Sequence, residues 1–168
     1  MTLDIQLLAD RIAIEERLLL YAHYLDSGQF ERVASEIFTL DANVDFGGAN
    51  VKGRDAIHAQ VMGYKDALQG CSHNISNIII AVDGDEARTS SRVMAWHWLN
   101  QPDADPYGQT DLLAVGGYED RLRRVAGVWR IHERRGLNFG TGVGVGIVPD
   151  PMKPIFQGMW GRRPQWPE

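Results

Sequence analysis

Cysteine, long apolar runs and surplus positive charge are all scarce in this chain. The single cysteine, Cys71, excludes an internal disulfide and a cysteine-rich metal cluster, and it fits a reducing, cytoplasmic setting. No apolar stretch reaches the roughly 18 residues that a membrane span needs. Met1 to Asp10 is too acidic and too amphipathic for a secretory leader, so Asn74-Ile75-Ser76 reads as a chance sequon. Against 22 acidic residues stand 17 Lys and Arg, a net charge of -5. The basic residues cluster only at Arg121–Arg124, Arg130–Arg135 and Arg162–Arg163, the first two sets interleaved with Asp120 and Glu133. That is no nucleic-acid stripe, and neither nucleic acid nor membrane is expected as a partner. The five histidines (His23, His58, His73, His97, His132) show no metal-ligand spacing, so neither metal nor cofactor is expected. There is no Gly-x-Ser-x-Gly elbow. The glycine-rich run Gly140–Gly146 looks like a phosphate loop, but Pro149 and Pro151 follow it where a helix would have to start.

What is present is an ordinary globular composition, 44% hydrophobic and 23% charged over 168 residues, about one domain's worth. Residues 3–26 read as a helix, with Leu8, Ile12, Leu19 and Tyr21 or Ala22 at helical spacing and Ser27-Gly28 as the stop. Phe30, Val33, Ala34 and Ile37 predict a second, short helix. Ala42–Phe46 alternates like a strand before Gly47-Gly48. Asp55 is a plausible N-cap for a third helix carrying Ile57, Val61, Tyr64 and Leu68. From Cys71 the period becomes two. Strands are expected over 71–82 and 87–99 around Asp83-Gly84-Asp85, and over 111–124 and 128–139 around Ala126-Gly127. Asn100–Gln109 reads as a loop and 140–168 as an extended Gly/Pro-rich tail, packing on the pocket or on a neighbouring subunit.

Three helices followed by a long antiparallel meander make an α+β domain over 1–139. A strongly curved sheet wrapped around its helices encloses a pocket. Both faces of the 87–99 strand are apolar, with Val93, Ala95 and Leu99 on one and Met94, Trp96 and Trp98 on the other. A half-solvated sheet has one polar face. The second face is therefore expected to be covered by another copy of the chain, as a dimer or trimer.

Asp26 ends the first helix, where an anion is disfavoured and calls for a cationic or proton-donating partner. The blander reading is a loop-forming aspartate before Ser27-Gly28. His73 opens the first long strand. A carboxylate on one of its ring nitrogens would make the other a better base, whereas unpaired it reads as a core or rim histidine. His97 faces His73 if the hairpin loop has three residues and lies on the opposite face if it has two. Tyr21 is a core or pocket-rim phenol, and Arg134 either a strand-pairing charge or a fixed cation for an oxyanion.

The order Tyr21-Ala-His-Tyr-Leu-Asp26, Phe38-Thr-Leu-Asp-Ala42, Gly53-Arg-Asp55, Ser72-His73-Asn74, Asp83-Gly-Asp85, Tyr118-Glu-Asp120 and Gly127-Val-Trp129-Arg-Ile131 through Arg134 resembles the SnoaL-like branch of the nuclear-transport-factor-2-like superfamily. Within it the chain is most similar to the scytalone dehydratase group, which includes hexachlorocyclohexane dehydrochlorinase and the bile-acid 7α-dehydratase. The resemblance covers roughly residues 5–139. It implies a cone-shaped mixed sheet around three N-terminal helices. It also implies an Asp–His pair at Asp26 and His73, a tyrosine at Tyr21, a second histidine at His97, a functional arginine at Arg134, and trimers. Two departures stand out: Leu25 replaces the tyrosine that precedes the aspartate in scytalone dehydratase, and that enzyme's pocket tyrosine on the early strands has no clear equivalent, with Phe46 nearby.

Together these readings give a cofactor-independent, dehydratase-like lyase acting on a hydrophobic cyclic molecule. His73 is the base, Asp26 its orienter, Tyr21 or His97 the acid, Arg134 an electrostatic support, and Phe46, Ile75, Ile79, Trp96 and Trp98 the apolar wall. An isomerase shares the first step, and a non-catalytic ligand-binding or accessory subunit of the same fold is the alternative.

Overall fold

The Asp4 carboxylate accepts the Leu7 N–H at 3.0 Å and so caps the first helix, α1, which runs from Ile5 to Asp26. The computed structural model describes residues 4–45, 50–100 and 112–138. Ile14, Leu18, Tyr21 and Leu25 form the buried stripe of α1. Leu8, Ile12 and Leu19 share the helical period but lie on the open side, 46%, 59% and 43% exposed. A 22-residue helix has room for two apolar stripes, and only the sheet decides which one is covered. Asp10 lies within the buried stripe because Arg124 grips it through two nitrogens, at 2.6 and 2.8 Å, and Trp129 Nε1 donates to it at 3.2 Å. The Arg124 hydrogen bonds hold the Asp10 carboxyl down at about 2.

The helix ends where Ser27 N–H bonds the His23 carbonyl and Gly28 takes φ +73°, a left-handed stop. The short helix expected next is in fact two pieces. α2 spans Phe30–Arg32, and a wider π-type turn, Val33–Ile37, completes the run and buries Phe30, Val33, Ala34 and Ile37. Strand β1, Phe38–Asp45, starts four positions before Ala42, and Phe46 lies outside the described residues. β2 covers Asn50–Lys52. α3 covers Arg54–Lys65; Gly53, at φ +84°, holds its N-cap position, so Asp55 sits in the first turn instead. Leu68 belongs to the next strand rather than to α3.

Four long strands follow: β3 (Leu68–Asp83), β4 (Glu86–Leu99), β5 (Leu112–Val125) and β6 (Val128–Asn138). Each pairs antiparallel with the next, and β1 closes against β6 in parallel, giving the order β2-β1-β6-β5-β4-β3. The result is an α+β fold: a curved, unclosed mixed sheet around three helices. The main core lies between α1 and the sheet, with Phe38, Leu122 and Ile131 among its fully buried members. No described helix is long and apolar enough to cross a membrane. The tail at 140–168 lies outside the described residues.

Candidate functional site: an aspartate–histidine pair on the inner sheet face

The β3–β4 turn has two residues, Gly84 and Asp85, between paired Asp83 and Glu86. Carried unchanged along the hairpin, that register would put His73 and His97 on opposite faces. A bulge intervenes. Ile79 pairs with Ser90 but Ser76 pairs with Arg92, a slip of one residue at Asn77, whose φ is 49°. Beyond it His73 lies opposite Ala95 and Cys71 opposite His97, so all four share the inner face. The His73 and His97 rings meet edge to face, centroids 5.4 Å apart. Neither turn length alone predicts this arrangement, because the bulge resets the alternation.

The end of α1 comes down onto that face. Asp26 Oδ1 accepts from His73 Nδ1 at 2.7 Å, and Oδ2 accepts from the His73 backbone N–H at 2.8 Å. The His73 side chain is 6% exposed and that of Asp26 26%. Burial alone would raise the Asp26 pKa. The two His73 donors, helped by the Cys71 thiol, outweigh it and hold the carboxyl below its usual range. The cost of an anion at a helix C-terminus is met by these donors. With Nδ1 spoken for, the Nε2 lone pair of His73 has no hydrogen-bond partner among the described residues.

His97 is buried and donates Nδ1–H to the Leu112 carbonyl at 3.4 Å. Burial, then the neighbouring His73, pulls its pKa down to about 4, so it is neutral at physiological pH. The unfolded chain takes up this proton near pH 6.5 and the folded chain only near 4. The stabilisation is complete above 6.5 and is lost as pH falls through that window. Replacing His97 by Gln should flatten the stability profile between pH 6.5 and 4 by up to about 3 kcal/mol, as read by denaturant titration at each pH.

Tyr21 and Arg134 form a second group. The guanidinium lies over the Tyr21 ring at 4.2 Å and the Tyr118 ring at 4.1 Å. It is paired with Asp120 through Nε–Oδ1 at 2.8 Å and Nη2–Oδ2 at 2.9 Å, fully buried, with Nη1 left unpartnered. Arg134 is therefore a fixed, neutralised charge paired across the strands with Asp120, the strand-pairing one of its two expected readings. Burial raises the Tyr21 pKa, against the pull of Arg134, so its phenol stays protonated and able to donate.

The apolar wall differs from expectation. Ile75 lies on the inner face, opposite Val93. Trp96 and Trp98 alternate with His97 and lie, with Met94, on the exposed outer face, and Ile79 is exposed as well. The bulge and the side chosen by α1 set this outcome. Leu99 and Leu112, with Tyr64, Leu68 and Ala114 packed on them, form the inner apolar cluster beside His97. Cys71, Tyr118 and Asp120 carried no role at the sequence level. Cys71 is two residues before His73 on one strand, and Asp120 two after Tyr118, so period-two spacing was the available signal.

A family model of the SnoaL-like domain matches residues 6–135. No curated protein matches the chain. Among solved structures, a scytalone dehydratase candidate from Novosphingobium aromaticivorans superposes with a TM-score of 0.70 at 28% identity, covering 84% of this chain and 95% of that one. A candidate aromatic ring hydroxylase from the same organism gives 0.74 at 20% identity, covering 88% and 97%. A type 3 hexachlorocyclohexane dehydrochlorinase from Novosphingobium barchaimii gives 0.69 at 24%, covering 88% and 99%.

Proposed function

Because the chain belongs to the SnoaL-like domain family, we propose that it uses the fold for cofactor-independent elimination on a hydrophobic cyclic small molecule, with Asp26 and His73 as the acid–base pair. The carrying observation is the 2.7 Å bond from His73 Nδ1 to Asp26, which leaves Nε2 as a base on an apolar inner face. His73 Nε2 takes a proton from the carbon next to a carbonyl or other acidifying group. The electron pair forms the double bond, and the leaving group departs with a proton from Tyr21. Asp26 holds the tautomer and stabilises the imidazolium. His97, neutral, is not a proton source; it packs the His73 ring in place. Arg134 acts through Tyr21, fixing its ring. Ile75, Leu99 and Leu112 supply the apolar wall. Dehydration and dehydrochlorination, the activities named for two of the similar structures, are both eliminations and favour this reading over isomerisation.

The test incubates the protein with cyclic β-hydroxy ketones and β-halo analogues in deuterated water. Appearance of the conjugated product supports elimination. Deuterium incorporation with a moved double bond and no leaving group lost would replace it with isomerisation. Tight binding without either would replace it with a ligand-binding or accessory role.

The exposed outer face of β4, with Met94 and Trp98, is the surface we assign to a second copy of the chain. Light scattering should give a dimer or trimer, and Trp98→Glu a monomer with unchanged far-UV circular dichroism. A monomeric wild type would end this assignment.

A further inference from the structure

We propose that Asp26, Cys71 and His73 form a site for one thiophilic divalent cation of the zinc class, superimposed on the acid–base pair. A carboxylate oxygen, the thiol sulfur and a ring nitrogen of these residues all lie within 4.8 Å of one another. The fold builds this set from two elements. Cys71 and His73 alternate on the inner face of β3, and the end of α1 lowers Asp26 onto them. Across the ladder His97 faces Cys71 but lies outside this group of three, so a water or hydroxide from solvent takes the fourth position.

The donor chemistry selects the ion. Thiolate, imidazole and carboxylate together suit a borderline-soft, four-coordinate cation. Calcium and magnesium require six or more oxygen ligands, which these residues do not offer. Thiolate and carboxylate balance the double charge, and the partial negative charge of the α1 C-terminus adds to the attraction. Asp26, the least covered of the three, gives the ion its way in. Its 2.7 Å bond to His73 marks where a proton is now shared, and the cation takes that proton's place. The thiol proton leaves to solvent and the Nδ1 proton moves to His73 Nε2, so the ring stays neutral; no electron is transferred. An ion so bound removes the orienting bond and the free base together. That inhibitory consequence rests on the function proposed above, whereas binding itself does not.

The experiment titrates the chelator-treated full chain with Co²⁺ alone and follows the thiolate-to-cobalt charge-transfer absorption. The expected result is one saturating equivalent with a thiolate band, bleached by Zn²⁺. Cys71→Ser should abolish the band. Asp26→Asn and His73→Ala should each weaken binding more than about tenfold. Far-UV circular dichroism selects the folded variants, and any one of the three suffices for comparison. A wild type without a thiolate band at saturating Co²⁺, or a band of unchanged affinity in Asp26→Asn or His73→Ala, would overturn the site. The readout uses no substrate, so it can fail while elimination stands, and elimination can fail while it stands.

Discussion

His73→Ala should lower elimination by about 10²–10⁴-fold, the usual contribution of a positioned general base, with the far-UV circular dichroism of the folded chain retained. The ring is not part of the main core, and among the described residues its side-chain hydrogen bond is to Asp26. Its loss removes the group that accepts the substrate proton. Asp26→Asn should cost less, because the base survives. What goes is the charge that stabilises the imidazolium and the acceptor that fixes Nδ1 as the donor. Asp26 is held below the usual carboxylate range, so it stays ionised as pH falls and should not set the acid limb of the rate profile. Steady-state kinetics of both variants beside the wild type checks this. Turnover of His73→Ala equal to that of the wild type would remove the dyad from the mechanism.

Asp120→Ala should destabilise the fold by about 3–5 kcal/mol, the range for breaking one side of a buried ion pair. Arg134 has a side chain only 1% exposed and already carries one unpartnered nitrogen. Without Asp120 a guanidinium would remain in the core beside the rings of Tyr21, Tyr118 and Phe38 but without its carboxylate partner. For a chain of this size that corresponds to a melting temperature lower by about 10 °C or more. The double variant Asp120→Leu with Arg134→Met removes both charges and should be more stable than Asp120→Ala alone. It should still lose activity, because Tyr21 no longer lies on a fixed platform. Calorimetry of the single and double variants decides this; a single variant within about 1 kcal/mol of wild type would mean the pair is far less isolated from solvent than its geometry indicates.

Much of the architecture was legible along the chain. The change of period at Cys71, the Asp83–Asp85 and Ala126-Gly127 turns and the Ser27-Gly28 stop are local signals, and each element lies within a few residues of its expected place. Asp26 stood out because an anion at a helix end needs a donor, and His73 because a strand-opening histidine can be that donor. The site's wall was not legible. Trp96 and Trp98 are as apolar as any lining residue, and only the sheet's choice of covered face puts them outside.

The sequence by itself therefore determined the elements, the α+β class and the two residue types that could form a pair, because these follow from near-neighbour periodicity and capping. Three things were decided only by the tertiary structure. The slip at Asn77 put His73 and His97 on one face. The docking of α1 selected which of its two apolar stripes is buried. The pairing with Asp120 decided between the two readings of Arg134 and made it a buried, strand-pairing charge. Each depends on contacts between residues distant along the chain, where a one-residue shift in register or a half-turn of a helix reverses which side chains meet.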